Sequence, residues 1–98
     1  GANFITTNPP WPARNGRGEP VLGLIRHFVT LAPTWLLLPH DFSANRYFGQ
    51  VSRWCATILP IGRVSWAQNG KNGKDNAAWY LFDRQNDRPT QLISREAA

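Results

Sequence analysis

Hydrophobic positions along the chain fall into a few runs separated by proline and glycine. Phe4-Ile5-Thr6-Thr7 is a short extended run stopped by Pro9 and Pro10, neither of which can donate to a sheet ladder. Each proline also holds the residue before it in extended geometry, so the chain leaves this strand in a stiff turn. Pro20 suits the first turn of a helix, and Val21, Leu22, Leu24, Ile25, Phe28, Val29 and Leu31 recur at helical spacing up to Ala32-Pro33. Thr34-Trp35-Leu36-Leu37-Leu38 is nearly continuous between Pro33 and Pro39, the pattern of a strand buried on both faces of a parallel sheet. Ser43 predicts a helix N-cap, with Tyr47, Phe48, Val51 and Trp54 on the buried side of a second helix ending near Cys55. Residues 56–66 read as two short strands broken by Pro60 and Gly62. Ala77-Ala78-Trp79-Tyr80-Leu81-Phe82 pairs with them across a loop from Gln68 to Asn76. The expected architecture is α/β: strand, helix, strand, helix, then an antiparallel hairpin, with a mixed sheet flanked by two helices.

Ninety-eight residues allow one small domain with a modest core. We expect it to span residues 1–84, with 85–98 a polar tail whose last residues are mobile. The formal charge of +5 comes from nine Arg and two Lys against six acids, which favours a polyanionic partner. A single cysteine, Cys55, allows no internal disulfide and no cysteine metal cluster, which fits a reducing cytoplasm. His27 is alone on its helix with no neighbour at metal-ligand spacing, so no metal is implied. No apolar run approaches the length of a membrane span. The chain contains no Met, and Gly1-Ala2 stands as a processing or cloning remnant before a strand already under way, so a fragment is expected.

The candidate chemistry sits where the first strand stops. Asn8-Pro9-Pro10-Trp11 presents an amide side chain, proline-fixed carbonyls and an indole at a strand's carboxyl end, the place where open α/β sheets bind ligands. Asn8 can accept from and donate to an amino group, a fixed carbonyl can accept a second hydrogen bond, and Trp11 can stack on a planar ring. Together they suit a planar heterocycle with an exocyclic amine. Arg14 and Arg17, in the Gly- and Asn-rich loop that follows, are either phosphate contacts or solvated charge. His40 and Asp41 turn away from the carboxyl end of the next strand, beside the same rim. Adjacent residues in an extended turn point apart and no Ser or Cys completes a triad, so His40 reads as pocket lining rather than a general base. Gly70, Lys71, Gly73 and Lys74 lack the spacing and the Ser/Thr of a nucleotide P-loop. Lys71 and Lys74 belong to a basic loop on a nucleic-acid backbone or to an ordinary solvated one.

The tetrapeptide resembles the Asn/Asp-Pro-Pro-aromatic motif of AdoMet-dependent amino-methyltransferases, above all the DNA adenine methyltransferases of short phage type. The likeness in element order extends from about Asn3 to about Arg84, and Gly62-Arg63-Val64-Ser65-Trp66 is similar to the family segment that flanks the target base. The resemblance implies the C-terminal half of a Rossmann-like methyltransferase fold, with S-adenosyl-L-methionine as cofactor and DNA as partner. It assigns Asn8, Pro9, Pro10 and Trp11 to the flipped adenine and its amine, and Arg63 and Trp66 to the substrate flank. The family's Phe-x-Gly-x-Gly-like turn and the acid that holds the ribose are absent here. This half should therefore bind AdoMet weakly or not at all, be inactive alone, and pair its first strand with a missing cofactor-binding half or with another copy. Relatives with the same tetrapeptide act on guanine in RNA or glutamine in proteins, and a non-enzymatic basic module that binds nucleic acid is the reading from a different class.

Overall fold

A computed structural model describes residues 3–9, 19–65 and 74–94. Along the chain come β1 (Ile5–Thr7), α1 (Glu19–Phe28) and β2 (Thr34–Pro39). Three 3-10 helices follow (His40–Ala44, Arg46–Gln50 and Ser52–Trp54), then β3 (Cys55–Ser65), β4 (Lys74–Phe82) and β5 (Gln91–Leu92). The strands form one mixed sheet in the order β1-β2-β4-β3-β5. β1 is parallel to β2, with Thr6 opposite Trp35. β4 runs antiparallel to both neighbours, and β5 is parallel to β3. The expected α/β class and the mixed sheet with an antiparallel pair are present.

Several expected elements take another form. α1 buries Val21, Leu22 and Ile25 as its spacing requires, yet it ends at Phe28 and leaves Leu31 64% exposed. Pro33 disfavours helical geometry in the residue before it, so the chain turns early into β2. There the Pro33 carbonyl accepts from the Ile5 N–H at 3.0 Å. β2 is fully buried on one face only. Thr34, Leu36 and Leu38 are buried while Trp35, Leu37 and Pro39 are half-buried, because α1 and the 3-10 helices cover a single face.

The expected second helix is replaced by the three 3-10 segments. The Asn45 side chain donates to the Asp41 and Phe42 carbonyls, a local bond that competes with a continuing α-helix. Successive i to i−3 bonds, Phe48 N–H to Asn45 O and Val51 N–H to Phe48 O, each 3.0 Å, then carry the chain. Ser43 lies inside the first of these helices and is not a side-chain cap.

The two strand pieces expected over 56–66 are one strand as far as the described residues reach, to Ser65. Pro60 and Gly62 mark a register shift within β3, and Gly62 takes a φ of 85°, open to glycine without a Cβ clash. β4 begins at Lys74, so that lysine lies on a strand and not in the loop. The segment expected as a polar tail adds β5: the Thr90 hydroxyl donates to the Cys55 carbonyl at 2.7 Å, and the Ile93 N–H to the Ile58 carbonyl at 2.9 Å.

The core lies between the sheet and its helical layer. Phe42 meets Tyr80 edge-on at 5.4 Å and Phe48 at 5.8 Å, with Val21, Leu22, Ile25 and Val51 around them. Aromatic pairs in such geometry add about 0.5–1.5 kcal/mol beyond the area they bury.

Candidate functional site

β1 and β2 are parallel neighbours, so both carboxyl ends open on one side of the sheet. Thr7 is opposite Leu36, and the next two residues leave the sheet: Asn8 is exposed and Pro9 is buried. A buried proline fixes the backbone that carries the Asn8 amide, and its own carbonyl is held by the same restriction. His40 and Asp41, both exposed, start the first 3-10 helix directly after β2. They lie beside the Asn8 rim as expected.

The third side of the rim is a projecting ribbon. The last β2–β4 pair is Pro39 with Ala77, whereas β3 and β4 continue through Arg63 with Asn76, Val64 with Asp75 and Ser65 with Lys74. Arg63 and Lys74 therefore sit on backbone that extends past the end of β2, at the same end of the sheet as Asn8 and His40. Pro10, Trp11, Arg14, Arg17, Trp66 and Lys71 lie outside the described residues. Asn8, Pro9, His40, Arg63 and Lys74 are thus brought to one end of the sheet.

Two residues of this end escaped the sequence reading. Asn76 is exposed one position beyond the Pro39–Ala77 pair, facing Arg63 across the ribbon. Tyr80 is fully buried, and its hydroxyl donates towards the His40 carbonyl at 2.9 Å with the Pro39 carbonyl at 3.2 Å, while accepting from the Ser43 N–H at 3.1 Å. The signal for Tyr80 was present: it alternates with Ala78 and Phe82 on the inward side, and a buried tyrosine hydroxyl needs a partner. Burial also raises its pKa, so the hydroxyl stays a donor at neutral pH. Tyr47, whose ring meets Phe42 at 5.5 Å, has its pKa raised by burial and then by the Asp41 carboxylate.

What this end can do chemically follows from the groups present. An exposed amide offers both donor and acceptor, and proline-restricted carbonyls offer further acceptors. Among the described residues no group of three or more His, Cys, Asp or Glu could hold a metal ion, and no helix is long and apolar enough to cross a membrane. His27 is exposed and tilts against Phe28 at 5.8 Å. Compared with protein-family models, curated proteins and solved structures, the chain matches none.

Proposed function

We propose that the chain is the substrate-base half of a Rossmann-like, AdoMet-dependent amino-methyltransferase acting on adenine in DNA. The observation that carries this reading is the position of Asn8-Pro9 at the carboxyl end of a parallel strand, between the His40 turn and the β3–β4 ribbon. β4 running against both neighbours agrees with the way that family's sheet ends. In this reading the Asn8 side-chain oxygen and the Pro9 carbonyl accept from the two N–H groups of the target amine and orient its lone pair outward. Trp11 stacks on the base, whose extrusion from the duplex costs a few kcal/mol. The ribbon and its basic residues lie along the flanking backbone.

The described residues do not fit AdoMet. Gly23 lies within α1, Gly49 within the second 3-10 helix, and Gly62 in the β3 bulge, so none forms a strand-to-helix cradle.

Binding of a duplex carrying a fluorescent adenine analogue tests the reading. Asn8→Ala should lose the signal of the captured base while duplex affinity stays within about twofold, because phosphate contacts carry most of that affinity. An Asn8→Ala variant with full base capture, or full methyl transfer in an enzyme containing this half, overturns the assignment. The exposed arginines Arg26, Arg46, Arg53, Arg84 and Arg88 favour the second reading, a non-enzymatic basic module, in which Asn8→Ala changes nothing.

A further inference from the structure

We infer that Tyr80 is a positioning residue, the latch that holds the Pro39–Ser43 turn against the end of β2 and so sets the second wall of the rim. Three backbone groups of that turn converge on one hydroxyl: the Pro39 and His40 carbonyls at 3.2 and 2.9 Å, and the Ser43 N–H at 3.1 Å. The turn needs such a tie. It starts from Pro39, which has no N–H to donate, and its helix is only five residues long with no side-chain cap at its start. Its outer bonds are local, from the Asn45 side chain to the Asp41 and Phe42 carbonyls at 3.1 and 3.2 Å.

Tyr80 reaches the turn from a different strand, 40 residues away in the chain from His40. Its ring is fixed by Phe42 at 5.4 Å, Phe48 at 6.2 Å and Phe82 at 6.2 Å, so the hydroxyl has little freedom to follow the turn if it moves. The latch thereby couples the central strand β4 to His40 and Asp41, the two exposed residues that open the turn at the rim. The coupling itself rests only on these contacts. Its consequence for a bound base rests on the function proposed above.

Tyr80→Phe keeps the ring and removes the hydroxyl, and hydrogen–deuterium exchange on this chain reads the result. The Ser43 amide should exchange roughly five- to tenfold faster, the effect of one lost net hydrogen bond. The amides of Leu36, Leu38 and Ile58, inside the sheet, should be unchanged under conditions where exchange occurs by local opening. Unchanged Ser43 exchange overturns the latch. So does acceleration shared equally by the strand amides, which would make Tyr80 a general stabiliser. The second arm is the fluorescent-base duplex: Tyr80→Phe should weaken base capture several-fold with duplex affinity intact. If Ser43 is freed and base capture is undiminished, the turn does not position the ligand and that part of the inference falls. If the unaltered chain captures no base, the proposed function fails while the exchange result still decides the latch.

Discussion

The two faces of the sheet differ more than the two halves of the chain do. On one face Leu36, Leu38, Ala78, Tyr80 and Phe82 are completely buried under α1 and the 3-10 helices. On the other, Trp35 lies opposite Leu81, and Trp79 sits between Leu37 and Leu59, all of them half-buried. Both faces are equally hydrophobic in sequence, so composition does not separate them. Connection geometry does. β1 to β2 and β2 to β3 are crossovers between parallel strands, and both put their helical segments on the same side. A two-layer domain results from strands whose residues would suit three layers. The rim chemistry grows out of the covered face, because Tyr80 and Phe42, which support the His40 turn, belong to it.

The largest expected effect tests this asymmetry with one residue type. Leu36→Ala removes a fully buried side chain and should cost about 2–5 kcal/mol, whereas Leu81→Ala on the other face should cost roughly 1 kcal/mol. Urea unfolding monitored by tryptophan fluorescence measures both. Equal losses would mean that the second face is as tightly covered as the first in solution.

Alkaline pH should act on the covered face next most strongly. Burial pushes the Cys55 thiol from 9.0 up to about 12, the Thr90 and Thr57 hydrogen bonds opposing it, and burial also raises Tyr80. Both folded-state pKa values lie above the unfolded ones, so both groups lose stability on the alkaline side; the Cys55 contribution is complete below about pH 9 and is lost as the pH rises towards 12. The slope from Cys55 alone approaches 1.4 kcal/mol per pH unit in that window. Cys55→Ala should shift the whole curve down through the lost packing yet flatten this alkaline limb. A limb equally steep in Cys55→Ala would assign it to other groups.

Much of this arrangement was legible in the chain. The prolines at 9, 33 and 39 mark the ends of β1 and β2, because a missing N–H and a restricted neighbour act locally whatever the fold. The rim position of His40 followed from those stops. The second helix was misread because Tyr47, Phe48, Val51 and Trp54 have spacings that a string of 3-10 turns also satisfies. Periodicity cannot tell one long helix from three short ones broken by Asn45 and the Val51 turn. Burial of β2 on both faces was misread for a tertiary reason: which face a crossover covers is not encoded in Trp35 or Leu37. Thr90 and Ile93 gave no sign of β5, since a two-residue strand made by backbone bonds to Cys55 and Ile58 has no pattern to read.

The smallest expected effect probes where the covered face ends. Trp54 packs against the buried cluster, and the Arg53 guanidinium lies 4.8 Å from the centre of its ring. Arg53 is exposed, and the Asn86 side chain holds its carbonyl at 3.0 Å, which ties the last 3-10 helix to the segment after β4. An exposed cation over an indole is worth about 0.5–1 kcal/mol, so Arg53→Gln should shift the urea midpoint by that little and leave the slope of the transition unchanged. Arg53→Lys should recover only part of the loss, because an ammonium is more strongly hydrated than a guanidinium and cannot lie flat on the ring. A cost above about 2 kcal/mol in Arg53→Gln would exceed what the cation contributes at such a site. It would mean that the arginine stem shields the indole from water, and that the covered face extends past Trp54 to the end of the sheet opposite the rim.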